Sequence, residues 1–338
     1  MKENTTNRFF NPWALLVLAI AGTMGFGIAS AADTESNEAC QTIRFGQPAW
    51  AGASVKTEMA SWMLQKMGYQ TKETTASLPI LHMALSKNDM DVLLAQWMPS
   101  QRQVFRPFGI DGSIDIVAAN LTGGHYTLGV PQYVYDAGVT SIADLDEHKD
   151  KFEGRIYGID NGSGGNTTIT QMIDDDYAGL GDWELKHSST GVMVAEVGRH
   201  IERDQWIAFL AWTPHPMNVN YDIEYLSGGE NYWGKDKGTI TVNTVSSKGF
   251  AWKCPNVGQF LANYTWTPDE QSQAMLKVSN GDMQPLEAGK SMVEKNPELL
   301  DRWFANGGIY QSGPVKTSNG KENARAVIAG EMGIEDTQ

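Results

Sequence analysis

The run Asp91-Val92-Leu93-Leu94-Ala95-Gln96-Trp97-Met98-Pro99 sets the fold of this chain. A short, continuous apolar stretch ending in a proline reads as a buried strand, the kind that fills parallel sheets. Upstream, Thr42 to Phe45 reads as another strand, running into Gly46-Gln47-Pro48-Ala49-Trp50. Between them the spacing predicts a helix from Ser54 to Met67, where Met59, Trp62, Met63 and Met67 recur near i, i+3, i+4 and Gly68 supplies the stop. An extended piece, Gln70 to Thr74, and a helix, Pro79 to Ser86, follow. The order predicts an α/β fold, a parallel sheet with helices on its faces.

A second unit begins near Ile116 and runs through Tyr126-Thr127-Leu128-Gly129-Val130, a helix at Ile142 to Asp150 and a strand at Arg155 to Ile159. The Gly-rich turn Asn161-Gly162-Ser163-Gly164-Gly165-Asn166 opens a helix from Thr167 to Asp174. A helix at Met193 to Arg203 and a strand at Trp206 to Ala211 lead to Trp212-Thr213-Pro214-His215-Pro216. Strands at Ile223 to Leu226 and Thr239 to Val245 follow, then helices at Asn256 to Asn263, Pro268 to Ser279, Pro285 to Asn296 and Pro297 to Phe304.

The first 31 residues read as a signal peptide. Lys2 and Arg8 precede the short apolar core Pro12 to Ala21, and Ala29-Ser30-Ala31 fits an A-x-A site with cleavage before Ala32. The expected location is therefore the periplasm. The chain has 338 residues, 41% hydrophobic and 20% charged, enough for one large or two medium domains. Its net charge is −14, about −15 once Lys2, Glu3 and Arg8 are removed, which argues against nucleic acid and anionic membranes as partners. Cys40 and Cys254 are the only cysteines, and neither sits in a C-x-x-C; in an oxidising compartment such a pair reads as a disulfide rather than a metal site. The bridge would fold the C-terminal part back on the N-terminal part. That gives a discontinuous lobe, 32–116 with 217–338, and an inserted lobe, 117–216, around a ligand-trapping cleft.

Trp50, Trp97 and Trp212 each follow a predicted strand by a few residues, and Tyr126 opens the second unit. Loops at strand carboxyl ends face one crevice in open α/β sheets, so these rings should converge. A quaternary ammonium spreads its charge over methyl groups and has no N–H to donate, so aromatic faces hold it better than carboxylates alone. At ~2 kcal/mol for a desolvated face, three or four rings supply most of the ~8 kcal/mol of a micromolar site.

The chain resembles the choline-binding members of the glycine betaine/choline/carnitine substrate-binding family of ABC transporters. The resemblance rests on Ala39-Cys40-Gln41, Trp50, Asp91-Val92 with Trp97-Met98-Pro99, Tyr126-Thr127-Leu128, Ile156-Tyr157-Gly158-Ile159, Pro214-His215-Pro216-Met217-Asn218, Tyr225-Leu226-Ser227-Gly228-Gly229 and Cys254-Pro255-Asn256-Val257-Gly258. It implies a two-lobed periplasmic binding protein of the Venus-flytrap type, a monomer that hands a small methylated amine to a membrane permease. It also implies an aromatic box at Trp50, Trp97, Tyr126 and Trp212 and a bridge between the two cysteines. Choline binders of the family read the alcohol with an Asp two residues after the first box Trp and an Asn in the Gly-rich turn; here those positions hold Gly52 and Ser163. A Ser hydroxyl and the N–H groups of a turn at a helix start suit an anionic oxygen, so the expected order of ligands is trimethylamine N-oxide, then glycine betaine, then choline or carnitine.

Other signals are weaker. The Gly-rich turn fits neither nucleotide fingerprint. Asp174-Asp175-Asp176 misses the EF-hand spacing, and the six scattered histidines give no zinc pattern, so neither metal nor cofactor is expected. His215, between prolines, reads as a hinge or packing residue. An enzyme acting on methylated amines would need a base, metal or redox group in the cleft, and the sequence offers no such constellation.

Overall fold

The computed structural model describes residues 40–305 and 324–334. The expected signal peptide lies outside them, and no described helix is long and apolar enough to cross a membrane. The strands are β1 (Thr42–Gln47), β2 (Gln70–Thr75), β3 (Val92–Met98), β4 (Ile114–Pro131), β5 (Arg155–Tyr157), β6 (Glu184–Lys186), β7 (Ala208–Thr213), β8 (Ile223–Tyr225) and β9 (Thr239–Ser247). They form one sheet in the order β2-β1-β3-β9-β4-β7-β5-β6, with β8 paired to β4.

The sheet is mixed rather than parallel. The β1–β2, β1–β3, β5–β6 and β5–β7 pairs are parallel, as helical crossovers require. β9 enters antiparallel between β3 and β4, and β4 pairs antiparallel with β7. The strand-helix pattern could not reveal this, because β9 returns from the far half of the chain.

β4 is the long strand that joins the two halves. From Ile114 to His125 it pairs with β9 through three register shifts, from His125 to Gly129 with β7, and from Gly129 to Pro131 with β8. The boundary expected at 116/117 therefore falls inside β4. The boundary expected at 216/217 precedes Ile223–Tyr225, which pairs with the end of β4.

The longer helices are α1 (Ala51–Lys66), α2 (Leu78–Ser86), α3 (Arg102–Ile110), α4 (Gly164–Asp174), α5 (Thr190–Ile201), α6 (Pro255–Asn263), α7 (Pro268–Ser279) and α8 (Pro285–Lys295). α1 is buried along most of its length, from Gly52 to Leu64. It is held against α8 at a close approach, where a Cβ on Gly289 would lie 3.1 Å from Met59 Cβ. α7 starts on a capping box: the Thr267 hydroxyl accepts from the Glu270 N–H, and the Glu270 carboxylate accepts from the Thr267 N–H. The helix expected over Ile142–Asp150 is two separate 3₁₀ turns, Ile142–Asp144 and Asp146–His148, the first capped by Ser141 and Asp144. Cys40 and Cys254 are bonded, their Cα atoms 5.5 Å apart, which ties the start of β1 to the start of α6.

Candidate functional site

Each aromatic candidate is positioned by a regular element. Trp50 is the N-cap residue of α1, with extended backbone, and its carbonyl accepts from the Ala53 and Ser54 N–H groups. Its indole Nε1 donates to Asp160 Oδ1 at 2.9 Å, a bond between segments 110 residues apart in sequence. Trp97 and Trp212 lie inside β3 and β7, each one residue from the strand's end, rather than in the loops beyond. Tyr126 lies in β4 opposite Trp212, at the point where β4 changes partners from β9 to β7.

The rings converge. Tyr126 sits between two tryptophans, its centroid 5.8 Å from Trp97 and 5.8 Å from Trp212, with Trp233 edge-on behind it at 5.9 Å. Its hydroxyl accepts from the Gly165 backbone N–H, and burial pushes that hydroxyl's pKa far up, so the ring is neutral. Gly165 is required here: a Cβ would stand 2.4 Å from the Tyr126 oxygen. The Gly-rich turn thus serves the close approach of α4 to the box. Trp50, Trp97, Tyr126 and Trp212 line one cavity of about 490 Å³.

Ser163 is not among the lining residues. It is the N-cap of α4, fully buried, and its Oγ accepts from the Asn166 N–H at 3.2 Å. The sequence placed a Ser correctly at a helix start, but capping the helix is the use the fold makes of it. Gly52 does line the cavity, as the second residue of α1 with helical backbone. A Cβ there would meet Gln271 Nε2 at 2.4 Å and Met275 Sδ at 2.9 Å, so the space an Asp would need is already filled from α7.

His215 packs on Trp212 with ring centroids 4.6 Å apart, and its Nδ1 accepts from the Met217 N–H. Burial lowers its pKa to about 4, so it is a neutral support for the box at physiological pH. In the acidic run, Asp175 accepts from the Tyr232 hydroxyl and Asp176 from the Gly181 N–H. Among the described residues no group of three or more His, Cys, Asp or Glu is placed to hold a metal ion.

Among the lining residues that escaped the sequence reading are the buried Lys56 and Gln271. Lys56 is 1% exposed, and its Nζ donates to Asn120 Oδ1 at 2.8 Å; burial lowers its pKa to about 7. The signal was present, since Lys56 stands alone among Ala53, Val55, Met59, Ala60 and Met63, four residues after Gly52 and so on the same helical face. Gln271 is 2% exposed and gave no such signal, because its helix is polar throughout its first turns. No Asp or Glu lines the cavity among the described residues. The lining can therefore enclose an apolar cation in aromatic faces and, among the described residues, brings no carboxylate to it.

A family profile described as the substrate binding domain of ABC-type glycine betaine transport systems matches residues 41–295. An uncharacterised protein of Chromohalobacter salexigens is 46% identical over 127 residues, 38% of this chain and 82% of that one. The glycine betaine/carnitine transport binding protein GbuC of Listeria monocytogenes is 30% identical over 167 residues, 48% of this chain and 54% of the relative. Among solved structures, an ABC-transporter choline binding protein in complex with choline superposes with a TM-score of 0.80 at 32% identity, covering 87% of this chain and 99% of that one. Lactococcal OpuAC, closed and complexed with glycine betaine, gives 0.70 at 25% identity, covering 78% and 99%.

Proposed function

Because the chain belongs to the family of substrate-binding domains of ABC-type glycine betaine transport systems, we propose that it captures a small zwitterionic trimethylammonium compound and delivers it to the permease of an ABC importer. The observation that carries this reading is the convergence of Trp50, Trp97, Tyr126 and Trp212 on one cavity that no carboxylate of the described residues lines. Aromatic faces suit the trimethylammonium group, and the absence of a lining carboxylate suits a ligand that brings its own negative charge. Trimethylamine N-oxide and glycine betaine both fit that description. Ser163 had ranked the N-oxide first; with its hydroxyl serving as a helix cap, the two stand level, and choline stands behind them. The protein is exported, acts in the periplasm as a monomer, and leaves its ligand chemically unchanged. Its two halves close about crossings that we place at His125–Tyr126 in β4 and at Gly238–Thr239 before β9.

Calorimetric titration of the mature protein with trimethylamine N-oxide, glycine betaine and choline tests the ligand class. A central aromatic anchor is worth about 2–4 kcal/mol, so Trp97→Ala and Trp212→Ala should each weaken the tightest ligand by roughly 30- to 1000-fold. Normal binding by both variants would remove the box.

A further inference from the structure

Lys56 is the only Lys, Arg, Asp or Glu that lines the cavity among the described residues. An ammonium has three hydrogens to donate, and the structure gives this one a single acceptor, Asn120 Oδ1. The orientation of that amide is fixed, because Asn120 Nδ2 donates to the Leu94 carbonyl and to Thr244 Oγ1, each at 3.1 Å. No carboxylate answers Lys56: burial is the whole cause of its lowered pKa. Beside it, Gln271 has no partner for Oε1, and its Nε2 meets only the Met275 sulfur at 3.8 Å. Two buried polar groups thus share one cavity with their hydrogen-bonding capacity largely unspent. Such groups are costly unless something completes them.

We propose that Lys56 and Gln271 form the pole of the cavity that receives the ligand's anionic oxygen, so that the site favours zwitterionic trimethylammonium compounds over simple cations. The assignment rests on the aromatic-box reading above, and it names the residues that read the other end of the ligand. Gly52 and Lys56 lie one turn apart on α1, and the missing side chain at Gly52 is what admits the Gln271 amide. An anionic oxygen at this pole accepts from the ammonium and from the Gln271 amide. A bound choline would instead place a second positive charge in a cavity that already holds one, at low dielectric.

Three other titratable groups near the pole are shifted by burial away from the range of Lys56. The Tyr264 hydroxyl, which donates to the Lys56 carbonyl, and the Tyr126 hydroxyl are pushed far up by burial, and His215 is pushed down to about 4. Tyr221 also lines the cavity, and Asp160 is held by Trp50.

The test needs no variant at first. Titrate the mature protein by calorimetry with glycine betaine and with tetramethylammonium, which has the cation but no oxygen, from about pH 6 to 9. Glycine betaine stays zwitterionic across that range. Its association constant should fall above pH 7, approaching tenfold per unit, as Lys56 loses its proton, and over that same range binding should show buffer-dependent proton uptake. Tetramethylammonium should bind at pH 9 through the box alone and weaken as the amine charges. Lys56→Met should flatten the betaine profile and narrow the betaine preference by about tenfold or more, whereas Lys56→Arg should keep the preference without the titration. Parallel pH profiles for the two ligands in the unmodified protein would overturn the pole and leave the box standing. Failure of tetramethylammonium to bind at pH 9, where the amine is neutral, would overturn the box itself.

Discussion

Placing a carboxylate at position 52 should turn the site toward choline. Gly52 is in the first turn of α1, so an acid there is favoured by the helix dipole by about 0.3–1 kcal/mol. Against this, its Cβ would sit 2.4 Å from Gln271 Nε2 and 2.9 Å from Met275 Sδ. Overpacking of that kind costs about 1–3 kcal/mol, so Gly52→Asp alone should be destabilised, and pairing it with Gln271→Ala should recover most of the loss. In the double variant the new carboxylate stands one turn before Lys56, in the favourable acid-then-base order, and supplies the counter-charge that the cavity lacks. It also gives the choline hydroxyl an acceptor. An unpaired buried O–H costs about 1–3 kcal/mol, so choline affinity should rise roughly 5- to 150-fold relative to Gln271→Ala. Glycine betaine should weaken, since its carboxylate would then face another. Calorimetry with both ligands on the unmodified protein, Gln271→Ala and the double variant reads the ratio, with circular dichroism confirming the fold. An unchanged choline-to-betaine ratio in a folded double variant would refute the reasoning, as would an unmodified protein that binds choline tightest.

The proposed closure predicts a smaller radius of gyration by small-angle scattering when glycine betaine saturates the protein, because contacts such as Trp50 to Asp160 would tie the two proposed lobes together; an unchanged radius would mean either a cleft already shut without ligand or a site confined to one lobe. Stability should also carry the mark of Lys56. Its native pKa of about 7 lies below its ordinary 10.5, so between those values the unfolded chain holds a proton that the native state lacks. Unfolding free energy should therefore rise with pH across that window in the unmodified protein relative to Lys56→Met, by at most ~5 kcal/mol, and parallel denaturation curves would contradict it.

How far the sequence could be read depended on whether a signal was local. The α1 periodicity placed the helix to within a turn, with the structure starting it at Ala51, directly after Trp50. The helix expected over Pro268–Ser279 has those bounds, because Thr267, Pro268 and Glu270 write its start in full. Where pairing is non-local the reading failed: nothing in Thr239–Ser247 says that it enters antiparallel between β3 and β4. The box tryptophans were visible as large aromatics beside prolines, yet two of them belong to strands rather than to loops. Ser163 shows the limit most clearly. A Ser at a helix start satisfies a backbone N–H before it can serve a ligand, and only the folded chain shows which use is made of it. Lys56 shows the reverse, a charged residue in an apolar helix whose oddity was legible and whose purpose was not.

The sheet order explains why capture and closure belong together. Trp97 is on β3 and Trp212 on β7, with β9 and β4 between those strands, and Tyr126 on β4 fills the interval between the two indoles. His125, next to Tyr126, pairs with Thr239 of β9 and with Thr213 of β7, so the central ring of the box stands at the crossing proposed above. Any rotation of one half against the other at that joint changes the spacing of Trp97 and Trp212 about Tyr126. A ligand can shift such an equilibrium only by binding one arrangement better than the other. Under the proposed function a trimethylammonium group that needs rings on several sides would do so, since Trp50, bonded to Asp160, and the rings of Trp97, Tyr126 and Trp212 come from different elements. The closure proposed above would also dry the cavity around Lys56 and so strengthen the attraction we propose between it and an anionic oxygen.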